Sequence, residues 1–325
     1  MLWLKVKFNS LVFQRTRIGE LITLLHSMAL HFKYSFDEKR LGTDKDKMFY
    51  FLTKNYHIVE KALALPAPRF GFAKLKILKI INITEQYVTR YGECEFTLTV
   101  RETIRSYSKF HSEANQALEE NFQTAINKFI ESKTGYGGTK TVSLSNMKNL
   151  SLDEYRHFVE CRHSIRDFSS SPVDEKLIFA AIDAAKNTPS VCNRQGWHIH
   201  YYSEREKINE LLSYQNGNAG FTDCIDKLII VTGVTKAFTR YEHNQLFVDG
   251  GLICMNIMLS LHSAGLGTCP LNTCMSFLSE DRLKTLAGIA PYERLIMMVA
   301  IGSLKDEFKV ACSSKMNIEQ SLTIH

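Results

Sequence analysis

The sequence predicts an α+β domain over residues 143–325, preceded by a mainly α-helical domain over residues 1–142. In the first part, apolar residues recur every three to four positions along stretches such as LITLLHSMALHF and HSEANQALEENFQTAINKFIES. In the second part, helical patterns alternate with short β-rich runs. The segment SKTGYGGTKT, residues 132–141, holds three glycines and indicates a flexible joint between the two parts.

Each element of the second part has its own sequence signal. SPVDEKLIFAAIDAAKNTPS predicts an amphipathic helix with Ser171 before it and Pro172 at its first position. WHIHYYS, KLIIVTGV and RLIMMVAIGS predict strands, because they are short, apolar or β-rich, and flanked by turn residues. FVDGGLICMNIMLSLHSAGLGT is apolar nearly all round and predicts a buried helix that ends at Gly265.

Composition limits the function classes. Of the 325 residues, 45% are hydrophobic and 23% charged, which indicates a globular protein. The net charge of +6 is mild and no basic stripe or nucleic-acid-binding motif accompanies it, so we predict no nucleic-acid partner. The eight cysteines lack CxxC pairs and zinc spacing, which predicts reduced thiols, a cytoplasmic location and no metal.

The N-terminal stretch MLWLKVKFNSLVFQRTR mixes apolar residues with lysines and arginines. No run in the sequence reaches the roughly 20 apolar residues that span a bilayer, so we predict no integral membrane segment. Peripheral contact with an anionic membrane through Trp3, Val6 and Phe8 is one interpretation, and docking on the rest of the protein is the other.

Residues suited to phosphate binding cluster in CRHSIRDF, residues 161–168: Arg162, His163, Ser164 and Arg166. Alternate residues of an extended segment face one side, so two guanidinium groups and a hydroxyl can share one anion. The alternative is a solvated basic turn whose arginines pair with Asp167 and Asp174.

A second polar stretch, NTPSVCNRQGWHIH, lies between the predicted helix and the first strand. Its side chains at Ser190, Asn193 and Gln195 could read the edge of a heteroaromatic ring. Ordinary turn chemistry explains the same residues equally well.

Together with GLGTCPLN and AIGSLKDEF, these two stretches resemble the FMN-dependent nitroreductase family, from about residue 155 to the C-terminus. The resemblance implies a nitroreductase-like sandwich with a central mixed sheet flanked by helices, and a homodimer with one FMN in each of two interface clefts. It implies that Arg162, His163, Ser164 and Arg166 hold the phosphate and the pyrimidine edge, and that Lys315 adds a cation. It also implies that Ser190, Asn193 and Gln195 meet the partner's flavin and that Asn218 contacts the ring.

The resemblance further implies that GLGTCPLN is a loop in which the backbone at Leu271 or Asn272 donates to flavin N5. Gly196, Asn272 and Ser313 depart from residues frequent in the family, which leaves the substrate class open. In TKAFTRYEHNQLF, Phe238, Arg240, Tyr241 and His243 could form a substrate cap over the flavin, or an ordinary amphipathic segment.

We therefore predict a cytoplasmic, homodimeric, FMN-dependent oxidoreductase that passes electrons from NADH or NADPH through flavin N5 to a small-molecule acceptor. One alternative is a flavin-dependent dehydrogenase or oxidase of a biosynthetic intermediate. The other is a non-catalytic binding or scaffold protein that retains the fold. His57 and Glu60, spaced i, i+3, are predicted to form a structural contact, because a metal site needs three or four ligands.

Overall fold

The computed structural model describes residues 16–39, 41–131 and 134–325. The predicted peripheral membrane contact through Trp3, Val6 and Phe8 lies outside these residues. The N-terminal part is helical, as predicted, and its described helices are α1 Arg17–Tyr34, α2 Lys45–Leu63, α3 Lys74–Tyr91, α4 Glu95–Glu113 and α5 Glu120–Ile130. Helices α2 to α5 share a core built from residues such as Phe51, Ile77, Ile104 and Ile126.

The stretch predicted as one long helical pattern, HSEANQALEENFQTAINKFIES, is two helices. Helix α4 ends at Glu113, Asn115 takes a left-handed φ of 53°, and α5 begins at Glu120. Asparagine tolerates the left-handed conformation that often follows a helix end, so a local backbone preference overrides the continuing apolar pattern.

The glycines of the predicted joint allow close packing. A Cβ on Gly135 would lie 2.7 Å from the backbone carbon of Leu98, and one on Gly137 would lie 2.6 Å from the backbone oxygen of Thr99. Both contacts are on α4, so these glycines bring the chain against a helix. The domain boundary near residue 142 stays a prediction.

The C-terminal part is an α+β sandwich, and the predicted fold class is confirmed. Its helices and strands are α6 Leu152–Glu160, α7 Glu175–Ala185, β1 Trp197–Tyr202, α8 Arg205–Leu212, β2 Lys227–Val234, α9 Gln245–Ser263, β3 Leu266–Leu271, α10 Phe277–Ala287, β4 Glu293–Ser303 and α11 Ile318–Ser321. The strand order is β1-β2-β4-β3, and every neighbouring pair is antiparallel. The resemblance implied a mixed sheet. Among the described residues, the parallel pairing that this sheet makes is one isolated bridge, between Ser164 and Thr268 of β3.

Helices cover both faces of this sheet. One core joins α7 and α9 to side chains such as Ile229, Val231 and Val299. The opposite core joins α8 and α10 to side chains such as Ile230 and Met298. Because successive strand residues point to opposite faces, the near-continuous apolar runs of β2 and β4 are what a sheet buried on both sides requires.

Three predicted elements differ in detail. Helix α7 begins at Glu175 with Asp174 as its cap, because the carboxylate of Asp226 accepts from the backbone N–H of Val173 at 2.7 Å and holds the preceding chain extended. GLGTCPLN is not a loop throughout: residues 266–271 are edge strand β3, a place where Pro270 is tolerated.

Helix α9 is the third difference, because it is buried on one side and not all round. Its side chains at Phe247, Val248, Leu252 and Met255 are 42–54% exposed. Among the described helices, α9 alone is long and apolar enough to cross a membrane by length and composition, with 44% of that window buried inside the protein. The predicted absence of an integral membrane segment stays a prediction.

Candidate functional site

The segment CRHSIRDF lies between the end of α6 and the sheet, and two apolar side chains anchor it. Ile165 and Phe168 are 4% and 2% exposed and belong to the core. The backbone N–H of Ile165 donates to the Thr268 oxygen of β3 at 2.9 Å. Gly302 of β4 makes room for the Phe168 ring, because a Cβ there would lie 2.6 Å from Cδ1 of that ring. The polar residues beside these anchors are therefore carried on a backbone that is held against the sheet.

Those polar residues line a cleft of about 450 Å³, which we call the cationic cleft. Arg162, His163, Ser164 and Arg166 all line it, and the C-terminal tail adds Lys315. The remaining lining residues are Val159, Glu160, Val310, Ala311, Cys312 and Ser313. The structure thus brings together the five residues assigned to the phosphate by resemblance, although 149 residues of chain separate Arg166 from Lys315.

The arginines of this cleft do not pair with the acids that the alternative interpretation assigned to them. Asp167 forms an ion pair with Lys305, and Asp174 accepts from the Lys176 backbone N–H at 2.9 Å. Nη1 of Arg162 is buried and has no hydrogen-bond partner among the described residues. A buried donor without a partner costs about 1–3 kcal/mol, which an anion in the cleft would offset.

The positive charge of the cleft lowers the pKa of neighbouring side chains or opposes its rise. Burial and then the charges of Arg162 and His163 lower the pKa of His262 on α9. Burial raises the pKa of the Cys269 thiol, while Arg166 and Arg162 oppose that rise. Cys269 is 0% exposed and packs in the core. The electrostatic environment therefore favours an anionic ligand.

The second polar stretch is a turn, residues 190–195, with unusual backbone conformations. Cys192, Asn193 and Gln195 have φ values of 50–52°, which non-glycine residues rarely adopt. The hydroxyl of Ser190 accepts from the Gln195 backbone N–H at 2.9 Å. Left-handed residues of this kind persist only where surrounding contacts hold them, and they cluster at ligand sites.

A buried arginine that the sequence argument passed over supplies those contacts. Arg194 has no exposed side-chain surface and donates to the carbonyl oxygens of Val191 at 3.1 Å and Ala237 at 2.7 Å. Its two terminal nitrogens bind the Glu242 carboxylate at 2.8 and 2.9 Å. Asp249 of α9 accepts from the Val191 backbone N–H. The available signal was one charged residue inside an otherwise uncharged turn.

Comparison with known proteins shows what this half of the chain is similar to. The nitroreductase family model matches residues 159–220 and 213–303. This region is similar to that family, and we call it the nitroreductase domain after the similarity. A protein of Archaeoglobus fulgidus with the provisional name NADH dehydrogenase/NAD(P)H nitroreductase is 25% identical over 166 residues, which is 48% of this chain and 88% of that protein.

Solved structures are also similar to the nitroreductase domain. One is an FMN-dependent nitroreductase from Clostridium difficile, with 18% identity, a TM-score of 0.44, and coverage of 52% of this chain and 96% of that one. Another, described as a nitroreductase from Desulfovibrio desulfuricans in complex with FMN, has 17% identity, a TM-score of 0.46, and coverage of 52% and 95%.

Leu271 and Asn272, assigned to flavin N5 by resemblance, lie where β3 ends. Leu271 pairs with Met298 of β4 and is 4% exposed, whereas Asn272 is exposed. The Asn272 oxygen Oδ1 accepts from the Cys274 backbone N–H at 3.0 Å, and its carbonyl accepts from Gln215 Nε2 at 3.0 Å. The backbone at this strand end is held on both sides, although neither residue lines the cationic cleft.

Asn218, assigned to the flavin ring by resemblance, holds its own turn closed. It is 7% exposed, and its Nδ2 donates to the Leu212 carbonyl at 3.2 Å and to the Thr222 hydroxyl at 2.8 Å. These contacts fix the side chain within the turn, and its contact with a flavin ring stays a prediction.

The predicted substrate cap divides into a buried and an exposed part. Phe238 is 0% exposed and packs against Ala237 and Leu246, which is a core position, and its contact with a substrate stays a prediction. Arg240 forms an ion pair with Asp37 at 3.2 Å, and Tyr241 is 96% exposed. The Phe238 ring is therefore buried, whereas Arg240 and Tyr241 lie at the surface.

The N-terminal helices cover this region. The Phe36 backbone N–H donates to the Phe238 carbonyl at 3.0 Å, and His31 Nε2 lies 3.2 Å from the carbonyl oxygens of Thr239 and Arg240. Asn193 of the turn lines a second cavity, of about 330 Å³, together with Tyr56, Glu60, Thr99 and residues 136–140. His57 contacts Glu60 at 3.2 Å, and Glu60 also accepts from the Gly138 backbone N–H, as a structural contact would.

Proposed function

We propose that this chain is an FMN-dependent oxidoreductase that passes electrons from NADH or NADPH to a small-molecule acceptor. The observation that carries the proposal is the buried, unsatisfied Nη1 of Arg162 in a cleft that also holds Arg166, His163 and Lys315. A phosphate is the ligand that such a set recognises, because guanidinium groups bind its oxygens in a fork and lysine adds a point charge. A flavin phosphate in particular is proposed from the resemblance to FMN-dependent nitroreductases, and two similar solved structures are described with FMN.

The residues present fit the cofactor. A volume of about 450 Å³ lies in the range of small-molecule sites, and its lining combines cations with a hydroxyl at Ser164. When bound, FMN supplies the two-electron redox chemistry of its ring. In this proposal Arg162, Arg166 and Lys315 hold the phosphate, while the backbone at Leu271 or Asn272 orients and stabilises the ring.

A nicotinamide donor is proposed from the name of the Archaeoglobus fulgidus relative, which gives NAD(P)H. Anaerobic reduction of the bound flavin by NADH or NADPH separates this reductase from the alternative oxidase of a biosynthetic intermediate. If neither nicotinamide reduces the flavin, the reductase version is wrong. A chain that retains no flavin at all supports the scaffold alternative.

We propose a homodimer and a cytoplasmic location on separate grounds. The exposed apolar face of α9, with Phe247, Val248, Leu252 and Met255, is a surface that a second copy would cover. In such a dimer, Ser190, Asn193 and Gln195 would reach the partner's flavin. All eight cysteines are free thiols, which suits a reducing compartment.

The decisive experiment is the flavin content of the purified chain and of a double variant, Arg162→Ala/Arg166→Ala. Two charge-assisted contacts of about 1.5–3 kcal/mol each would be lost, so FMN should bind roughly 10²- to 10⁴-fold more weakly. The matched control, Arg156→Ala/Arg282→Ala, removes the same charge from exposed positions outside the cleft.

The readouts are the visible spectrum, the mass of the released chromophore, and light scattering for the oligomeric state. We expect stoichiometric FMN and a dimer in the wild type and the control, and a folded double variant without flavin. Equal flavin content in the folded double variant would contradict the assignment of the cationic cleft.

A further inference from the structure

Three side chains with metal-binding atoms meet on the sheet face that carries α8 and α10. His198 and His200 stand two residues apart on β1 and so point to the same side, and Glu293 is the first residue of β4. His198 Nδ1 lies 3.3 Å from Glu293 Oε1, and His200 Nε2 lies 2.7 Å from Glu293 Oε2. The three ligand atoms all lie within 4.8 Å of one another.

The sheet itself brings them together. His198 pairs with Thr232 of the intervening strand β2, and Thr232 donates its hydroxyl to the Glu293 carboxylate. A bulge between β2 and β4 shifts their register: Val231 pairs with Met297 and Thr232 with Leu295, so that Glu293 pairs with Val234. Bulges re-aim side chains, so this one helps to set the direction of the carboxylate.

Exposure differs sharply along the cluster. The side chain of Glu293 is 3% exposed, that of His200 14% and that of His198 59%. The carboxylate is therefore buried between two imidazoles, and one side of the cluster opens to solvent. Lys284 donates to the main-chain oxygen of Glu293 at 3.2 Å, and its described ion pairs are with Glu280 and Asp281.

We propose that His198, His200 and Glu293 form a binding site for a divalent transition-metal ion of the Zn²⁺ class. Two imidazoles and one carboxylate suit Zn²⁺, which binds such sets with a water or substrate in the fourth position. Bond lengths of about 2.0–2.2 Å at tetrahedral angles place ligand atoms roughly 3.4 Å apart. The two nitrogens lie 3.3 Å from Oε1 and 2.7 Å from Oε2 of Glu293, and all three ligand atoms lie within 4.8 Å of one another, so side-chain rotations would bring them to that spacing.

The hydrogen-bond partner of the carboxylate and the solvent-exposed side of the cluster also suit a metal site. A hydroxyl such as that of Thr232 orients a metal-bound carboxylate by hydrogen bonding. The fourth position faces solvent beside His198, so the ion has an entry path and a place for water. The site is separate from the cationic cleft, since none of its three residues lines that cleft. The proposal therefore stands whether or not the chain binds FMN.

The sequence carried a signal for this site that cysteine spacing does not reveal. WHIHYY is a strand in which histidine recurs at the period of one sheet face. The third ligand lies 93 residues away along the chain, so only the paired strands show that it belongs to the set. The prediction of no metal considered zinc spacings along the sequence and not ligands assembled across strands.

The test uses the full-length purified chain after treatment with EDTA. Zn²⁺ itself is the probe, titrated by calorimetry, with the melting temperature measured with and without the ion. His198→Ala is the main variant because that side chain is mostly exposed and its loss should not disturb the core. His57→Ala is the matched control, since it removes an imidazole from a histidine–glutamate pair that has no third ligand among the residues the structure describes.

We expect stoichiometric Zn²⁺ binding and a raised melting temperature in the wild type and in His57→Ala. Removing a ligand should weaken binding by at least about 100-fold, because even outer-shell partners contribute 10- to 100-fold. X-ray absorption at the zinc edge should show nitrogen and oxygen neighbours. Unchanged Zn²⁺ affinity in His198→Ala, no binding in the wild type, or sulfur neighbours at the zinc would each overturn the proposal.

Discussion

The Arg194–Glu242 pair offers a quantitative test of what holds the turn at residues 190–195. Glu242→Gln keeps the size of the side chain but removes its charge. The Oε2 atom of Glu242 accepts from Arg194 Nη1 at 2.9 Å, from the Thr239 backbone N–H at 2.7 Å and from the Thr239 hydroxyl at 2.8 Å. Oε1 accepts from Arg194 Nη2 at 2.8 Å. A glutamine amide must place its NH₂ against one of these donors and leaves a fully buried guanidinium without its counter-ion.

Two independent arguments give the free energy of unfolding that Glu242→Gln should lose. Breaking a buried pair by removing one partner costs about 3–5 kcal/mol. Burial alone would raise the pKa of the Glu242 carboxyl, but the hydrogen bonds and charge of Arg194, with those of Thr239, lower it from 4.5 to about 2. That difference corresponds to about 3 kcal/mol of stability. Both routes give about 3 kcal/mol at neutral pH.

The same two pKa values determine how the stabilisation by Glu242 changes with pH. Because the folded-state pKa is depressed, the stabilisation is fully present above the unfolded value of 4.5 and is lost as pH falls towards 2. The wild type should therefore lose about 3 kcal/mol across this window through this group, and Glu242→Gln should not. The gap between the two proteins should close as the pH approaches 2.

Urea unfolding followed by the fluorescence of Trp197 measures this effect next to the turn. A Trp3→Phe background leaves Trp197 as the single tryptophan. Glu210→Gln is the control, because Glu210 forms a half-exposed pair with Lys207 that should contribute under about 1 kcal/mol. A loss below about 1 kcal/mol in Glu242→Gln at neutral pH, or a difference that persists undiminished at pH 2, would refute the reasoning.

Two further predictions concern packing and the contact between the halves. Gly302→Ala should destabilise the nitroreductase domain by about 1–3 kcal/mol, because the new Cβ would lie 2.5–2.7 Å from atoms of Phe168. Urea unfolding measures this loss. Gly288→Ser is the control for backbone strain, because Gly288 has a φ of 69° but open space around it. For His31, burial lowers the pKa of the imidazole. Its Nε2 serves two carbonyls while the buried Nδ1 has no described partner, so protonation is disfavoured in the folded state. The packing of α1 should loosen as pH falls below 6.5, shown by faster amide exchange in α1, and His31→Gln should flatten that pH dependence.

The residues that sequence reasoning placed well are those whose neighbours lie close in the chain. Alternating positions in CRHSIRDF predicted that Arg162, Ser164 and Arg166 share a ligand, and all three line the cationic cleft. The β-rich runs predicted β1, β2 and β4 with nearly their observed bounds. Edge strand β3 was missed because the resemblance assigned GLGTCPLN to a loop, whereas residues 266–271 form a strand whose edge position tolerates Gly267 and Pro270.

Residues whose surroundings are set by distant parts of the chain were beyond such reasoning. Phe238 is aromatic within a polar segment, but the pocket that buries it is formed partly by Gly196, 42 residues earlier. The partner of Arg194 lies 48 residues away at Glu242. Each of these outcomes depends on tertiary packing, which overrides local preference.

The contacts of the turn give the helical half a part in the chemistry proposed for the nitroreductase domain. Asn193, assigned by resemblance to the partner's flavin, lines a cavity with Tyr56 and Glu60 of α2. The segment after β2 is held from the same side, because Lys236 forms ion pairs with Asp44 and Asp46 at 2.9 Å. Helix α2 therefore touches both segments that would border a flavin ring in a dimer. Since a backbone held in strained conformations responds to small shifts in its supports, changes in the helical half should alter the turn before they alter the cationic cleft.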